Sequence, residues 1–275
     1  VILIAKKLIA LDLDGTTLND KPAISFKTKQ AIAAAQQQGY VVSIVTGRPN
    51  RISENFYDDL GLNTPMINFN GNLGILPHNH WELEYQYTIE KDIVMDLLEK
   101  SKQLGINLLA VEGRNMFLAN HGARNSFGFF PTVIKSNEVL NQQSLKDNPI
   151  SITVELQPEA KESFMAYTRA NFGDVVDVAP WGGPHAVVEV TTKGIQKATG
   201  LKVLSDYYGI RQDDIYAFGD EANDQSMISY AGHGIAMKNA IPSIKQIATD
   251  VTDFTNDEDG VARYLKDHMD IAVGL

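Results

Sequence analysis

Two aspartates, Asp12 and Asp14, close an apolar run and precede the break Gly15-Thr16-Thr17. The run, Leu8 to Leu11, is of the kind that a parallel sheet buries on both faces, and the break ends it. Period-2 alternation then puts both carboxylates on one side of the strand at its carboxyl end, where open α/β sheets bind ligands. Two like charges this close need a compensating cation. Mg2+ suits them, because it takes hard oxygen ligands and keeps waters and a substrate phosphate in its shell. One carboxylate can then attack phosphorus while the other, protonated, serves as acid and base. A strand followed by an ordinary acidic turn is the plain alternative, and three later stretches weigh against it.

In the first of these, Tyr40 to Val45 is apolar and β-branched and runs into Thr46-Gly47-Arg48-Pro49. The Thr46 hydroxyl and the Gly47 amide would sit at a strand-to-helix turn able to hold a phosphate oxygen, although such turns also start plain helices. Much later, Ile215 to Phe218 runs straight into Gly219-Asp220-Glu221-Ala222-Asn223-Asp224. This repeats the logic of Asp12: the glycine lets backbone approach closely, and the acids gain nothing from proximity without a cation. Lys197 lies on a helical pattern beside Ile195, Ala198 and Leu201. A lone helical lysine is ordinarily solvated, so its interest depends on the other motifs. His78-Asn79-His80 has no third ligand in sight and reads as a loop.

The elements that must position these groups begin with a strand-helix-strand rhythm. Ser25 caps a helix that runs to Gln38 and is closed by Gly39, so the first two strands form a βαβ crossover and lie parallel. Pro49 suits the first turn of a helix. Pro65 to Phe69 is a third strand, and Asn70-Gly71 signals a hairpin turn. From about Tyr85 the texture changes. A helix over Thr88 to Leu104, capped by Thr88 and stopped by Gly105, is followed by a hairpin around Glu112-Gly113-Arg114-Asn115. After the poorly patterned stretch 127–148 come a strand (150–156), a helix (159–172), a strand (175–178), the loop Trp181-Gly182-Gly183-Pro184 and a last strand (186–190). Hairpin-joined strands with few helices indicate an α+β insert. The rhythm resumes with helices through Lys197 to Tyr208, Ser243 to Ala248 and Val261 to Asp267, and a strand at 234–237. The expected fold class is α/β: a doubly wound parallel sheet from residues 1–84 and 191–275, with an α+β domain, 85–190, inserted.

A 44% hydrophobic and 21% charged composition is that of an ordinary globular protein, and the absence of cysteine excludes disulfides and thiolate metal chemistry. Val1 to Ala5 is too short for a signal-peptide core and no apolar run reaches the length of a membrane span, so the expectation is a cytoplasmic protein with no membrane partner. A net charge of −10 repels nucleic acid, and no Lys/Arg cluster offers a local exception.

Together, D-x-D-G-T at Asp12 to Thr16, the strand ending in Thr46, Lys197, and G-D-x-x-N-D at Gly219 to Asp224 resemble the haloacid dehalogenase superfamily over the whole chain. Their order and spacing are similar to its Cof-type subfamily, which inserts an α/β cap of the C2 type between the second and third motifs. The resemblance implies a Rossmannoid core and a Mg2+-dependent phosphatase of small phosphorylated metabolites, sugar phosphates foremost. It implies that Asp12 is the nucleophile and forms an aspartyl-phosphate, and that Asp14 protonates the leaving oxygen and then activates water. Mg2+ would be held by Asp12, the Asp14 main-chain carbonyl and Asp220, with Asp224 behind them. The Leu13 amide, Thr46, the Gly47 amide, Lys197 and Asn223 would bind the phosphoryl group. The acid at Asp14 sets the phosphatases and mutases of the superfamily apart from its dehalogenases and P-type ATPases, which lack it. Loops of the insert would close over the crevice and read the substrate, with Arg48, Glu112, Arg114, His121, Trp181 and His185 as candidate contacts, each of which also fits a plain loop or core role. A phosphomutase on the same scaffold and a non-catalytic metabolite-binding regulator are the alternatives. A homodimer is compatible with the sequence, which does not demand one.

Overall fold

The structure, a computed structural model, describes residues 7–124, 129–181 and 185–272. The stretch Val1 to Ala5, the first residues of the poorly patterned region and most of the Trp181 to Pro184 loop lie outside these. The chain divides into two compact units, Val1–Tyr85 with Gln196–Leu275, and Gln86–Ile195.

The first unit opens with β1 (Leu8–Leu11), buried along its whole length. Ser25 caps α1 (Phe26–Gln37) by accepting the Thr28 N–H at 3.1 Å, and the chain returns through β2 (Val41–Ile44), parallel to β1. Pro49 precedes a single 3-10 turn, Asn50–Ile52, and the helix proper, α2 (Glu54–Asp59), starts later. β3 (Met66–Asn68) and β4 (Leu73–Ile75) form the antiparallel hairpin expected at Asn70-Gly71, Met66 opposite Ile75. β5 (Tyr85–Gln86) joins their ribbon.

The inserted domain begins with α3 (Lys91–Glu99), shorter than the helix read from the sequence. Glu90 keeps an extended backbone before the helix, and the Ile89 and Lys91 N–H groups are taken by a segment far along the chain, the Pro149 carbonyl at 2.7 Å and Asn148 Oδ1 at 3.1 Å. β6 (Ile106–Gly113), β7 (Met116–Ala119), β8 (Ser151–Leu156), β9 (Val176–Pro180) and β10 (Val187–Thr192) form an antiparallel sheet in the order β7-β6-β8-β10-β9, and α4 (Lys161–Phe172) connects β8 to β9. Strand alternation sorts its two faces. Leu109, Val111, Ile152, Val154 and Val188 pack with Ile93, Leu97 and Phe164 of the helices. Leu108 and Ala110 pack on the other face with Ala119, Phe130 and Trp181.

The chain re-enters the first unit through α5 (Lys197–Tyr208), β11 (Ile215–Gly219), α6 (Gln225–Tyr230), β12 (His233–Ala236), α7 (Pro242–Ile247), the short strand β13 (Asp250–Val251) and α8 (Gly260–Met269). The parallel sheet runs β13-β12-β11-β1-β2. From β1 the crossover through α1 steps one way to β2, while from β11 the crossover through α6 steps the other way to β12. Right-handed connections then put α1 and α6 on opposite faces, with α8 packed on α1 and α5 on α6. This is the doubly wound, Rossmannoid arrangement. The winding reverses between β1 and β11, which opens a crevice beyond their carboxyl ends. Asp12 follows one of these strands and Asp220 the other.

Candidate active site

Leu11 lies opposite Phe218 in the β1–β11 ladder, and the Asp12 N–H still donates to the Phe218 carbonyl at 3.1 Å. The ladder thus runs one residue past the strand and fixes Asp12 against the end of β11. A wide turn follows, closed by the Leu18 N–H on the Leu13 carbonyl at 2.8 Å. Gly15 is required there: its φ is +68°, and a Cβ would stand 2.7 Å from Asp220 Cγ. Two hydroxyls fasten the turn. Thr16 Oγ1 donates to Asp220 Oδ1 at 3.0 Å, and Thr17 Oγ1 to the Asp12 main-chain carbonyl at 2.6 Å.

Lys197 is the first residue of α5 and is wholly buried. The helical pattern alone marks it as solvated; instead its ammonium donates to Asp12 Oδ1 and Asp224 Oδ1, each at 2.6 Å. The other Asp224 oxygen accepts the N–H groups of Asp220 and Glu221 at 2.8 and 3.0 Å. Asp224 therefore holds both Lys197 and the loop that carries Asp220. Asp12, Asp220 and Asp224, all buried, place oxygens within 4.8 Å of one another.

Three carboxylates against one ammonium leave a formal charge of −2 on this buried set. Burial, and after it the Asp224 charge, pushes the Asp12 carboxyl well above the usual carboxylate range, with Lys197 pulling the other way. Burial and Asp224 push Asp220 up to about 7. Burial works against the charged Lys197, but Asp12 and Asp224 outweigh it and hold the ammonium above its ordinary value. A set like this draws in positive charge. Asp12 Oδ2 and Asp220 Oδ2 accept no hydrogen bond among the described residues, which leaves hard oxygen donors on neighbouring strand ends for a divalent cation of matching charge.

Asp14 is exposed, and Arg48 grips it with two parallel bonds, Nε to Oδ2 at 2.7 Å and Nη2 to Oδ1 at 2.6 Å. The Arg48 guanidinium lies 5.3 Å from the centre of the Phe56 ring. Arg48, expected from the sequence as a substrate contact, is thus engaged with Asp14. Thr46 is buried; its N–H donates to the Ile67 carbonyl at 2.9 Å and its hydroxyl accepts the Arg48 N–H at 3.1 Å. Asn223 Nδ2 donates to Asn70 Oδ1 at 3.0 Å. Both amides face Gly47, where a Cβ would lie 3.0 and 3.3 Å from them. The structure therefore brings Asp12, Thr46, Gly47, Lys197, Asp220, Asn223 and Asp224 to one end of the sheet, and Leu13 is buried behind them.

In the insert, both ring nitrogens of His121 bond main-chain carbonyls, of Asn107 at 2.6 Å and of Gly122 at 2.7 Å. Trp181 packs on Phe129 and Phe130, and Glu112 is buried in the sheet opposite Ser151. Arg114 lies in the β6–β7 turn, and His185 is exposed just before β10. His78 pairs with Asp58 at 2.8 Å, and among the described residues it belongs to no metal-binding cluster. Sequence reasoning missed Thr16, Asn70 and the Arg48–Asp14 pair. Thr16 closes the first motif, Arg48 stands two residues after Thr46, and Asn70 lies at a turn read only as a turn.

No helix among the described residues is long and apolar enough to cross a membrane. A family model for haloacid dehalogenase-like hydrolases matches residues 9–265. The 5-amino-6-(5-phospho-D-ribitylamino)uracil phosphatase YitU of Bacillus subtilis strain 168 is 36% identical over 267 residues, covering 96% of this chain and 98% of the relative. YcsE of the same organism, which bears the same activity name, is 30% identical over 265 residues and covers 94% of each chain. Among solved structures, a haloacid dehalogenase-like hydrolase from Bacteroides thetaiotaomicron superimposes with a TM-score of 0.79 at 25% identity, over 95% of this chain and 98% of that one.

Proposed function

The chain belongs to the haloacid dehalogenase-like hydrolases, and from that premise we propose that it is a Mg2+-dependent phosphatase whose substrate carries its phosphate on a sugar or sugar-alcohol chain. The observation that carries this reading is the buried set Asp12, Lys197, Asp220 and Asp224 at the point where the winding reverses.

Asp12 attacks phosphorus in line through its carboxylate. The bond from phosphorus to the leaving oxygen breaks, and Asp14, released from Arg48 and protonated, gives that oxygen its proton. Asp14, now a carboxylate, takes a proton from the water that attacks the phosphorus of the aspartyl-phosphate, which frees Asp12 and inorganic phosphate. Phosphoryl transfer needs little beyond an in-line nucleophile and positive charge on the equatorial oxygens. Lys197 supplies such charge, and the amides of Leu13, Gly47 and Asn223 with the Thr46 hydroxyl donate to those oxygens. Asp12, Asp220 and the Asp14 main-chain carbonyl would hold Mg2+, which would supply further charge there. Asp224 keeps Lys197 and Asp220 in place from behind.

YitU and YcsE are named for a phosphate on a ribityl chain, which supports a primary alkyl phosphomonoester of a polyol as the substrate class. An alkoxide is a poor leaving group, so this class calls for the acid at Asp14. Discrimination among substrates is assigned to the inserted domain; exchanging residues 86–195 for the matching segment of YitU should transfer the relative's ranking. The direct test is phosphate release from the ribitylaminouracil phosphate, FMN, sugar phosphates, pyridoxal phosphate and an aryl phosphate, with Mg2+ and with EDTA. Mg2+-dependent release with the highest kcat/KM on a ribityl or sugar phosphate is expected. A preference for pyridoxal or aryl phosphate would overturn the substrate class, and phosphate moved within a sugar without release would make the protein a mutase.

A further inference from the structure

The Asn70-Gly71 pair does more than turn the chain. Phe69 and Asn70 both have left-handed backbone, φ +49° and +54°, and Gly71 follows at +103°. A buried phenylalanine at positive φ is disfavoured, and such conformations persist only where the surroundings over-determine them. Here the Phe69 N–H donates to the Arg48 carbonyl at 3.3 Å and the Asn70 N–H to the Thr46 carbonyl at 3.1 Å. Asn72 Nδ2 donates to the Phe69 carbonyl at 2.8 Å, and the Tyr85 hydroxyl to the Gly71 carbonyl at 3.1 Å. The turn is thereby tied to the Thr46-Gly47-Arg48 segment. It also lies against the start of α5, where a Cβ on Gly71 would stand 2.7 Å from the Gln196 carbonyl carbon and 3.4 Å from the Lys197 nitrogen. Through its side chain it reaches a third segment, because Asn70 Oδ1 accepts from Asn223, the neighbour of the aspartate that holds Lys197.

We propose that Asn70 is a positioning residue for phosphoryl transfer, its Oδ1 fixing the Asn223 amide so that the remaining donor of Asn223 faces the phosphoryl oxygens in front of Gly47. The proposal rests on the phosphatase reading above and on Asn223 as a phosphoryl contact. It explains why this hairpin keeps a costly left-handed pair: one turn sets the relative places of Thr46, Lys197 and Asn223.

Asn70→Gly separates the side chain from the backbone, because glycine accepts the left-handed conformation and lacks only the amide. The experiment measures kcat/KM on an aryl phosphate and inhibition by inorganic phosphate for the wild type, Asn70→Gly, Asn223→Ala and the double variant, with circular dichroism to verify folding. Asn70→Gly should lower kcat/KM and weaken phosphate inhibition about 3- to 10-fold, the effect of one hydrogen bond. Asn223→Ala should lose at least as much, and the double variant no more than Asn223→Ala alone. Wild-type behaviour of Asn70→Gly would reduce Asn70 to a turn residue and overturn the proposal. So would losses that multiply in the double variant. Wild-type hydrolysis tests the phosphatase reading by itself, so the two can fail separately.

Discussion

Replacing Lys197 by methionine keeps the length of the side chain and removes its charge from a site with no solvent exposure. Two 2.6 Å charge-assisted bonds disappear, and the formal charge of the buried set goes from −2 to −3. Removing one partner of a buried ion pair costs about 3–5 kcal/mol, a large share of the roughly 5–15 kcal/mol that holds a domain folded. Burial already pushes Asp12 and Asp220 toward their protonated forms, so acid should relieve part of the loss by neutralising them. Urea unfolding of the variant in EDTA should therefore show a large drop in midpoint at about pH 8 and a smaller one at about pH 6. Added Mg2+ should restore part of the difference. Neutralising the partner in the Lys197→Met/Asp224→Asn double variant should recover about 0.5–3 kcal/mol, since the two sites share one interaction. An unchanged midpoint at the higher pH, in EDTA, would refute the argument that Lys197 compensates buried negative charge.

Gly15→Ala should lower kcat/KM about 100-fold, because the new Cβ meets the Asp220 carboxylate and the +68° φ resists a side chain; near wild-type kinetics would contradict that packing. Asp220, raised from 3.8 to about 7, contributes to the stability of the metal-free fold below its unfolded value, and the contribution is lost as pH rises through about 7. Mg2+ must displace the protons of Asp220 and Asp12, so calorimetry should find affinity rising with pH toward neutrality; an affinity independent of pH in that window would be the contrary result. Asp14→Asn should slow alkyl phosphates about 10²- to 10⁴-fold and an activated aryl phosphate far less, since that leaving group needs little protonation. Equal losses on both substrates would exclude proton delivery by Asp14.

Much of the core was legible because its signals are local. The Leu8 to Leu11 run, the Ser25 cap and the strand entering Gly219-Asp220 each declare an element and its end within a few residues. What escaped depends on partners far along the chain. The helix read from Thr88 starts at Lys91, after an extended Glu90, with the Lys91 N–H capped by Asn148 from far along the chain. β13 is two exposed residues whose pairing with β12 leaves no hydrophobic pattern. At the site, a lysine at the start of a helix looks solvated until Asp12, 185 positions away, is folded against it. Arg48 and Asp14 pair across 34 positions, and Thr16 reaches Asp220 across 204. Residue types could nominate these groups, but only the folded chain says which carboxylate each one serves.

The central claim is that Asp12 carries the phosphoryl group during turnover. Rapid acid quench of the enzyme with a radiolabelled phosphomonoester and Mg2+ should trap label on the protein in an acyl-phosphate bond that hydroxylamine releases, with the labelled peptide containing Asp12. Asp12→Asn, folded and still able to bind substrate, should trap none and release no phosphate. Hydrolysis by Asp12→Asn at the wild-type rate, or label on another residue in the wild type, would contradict the account.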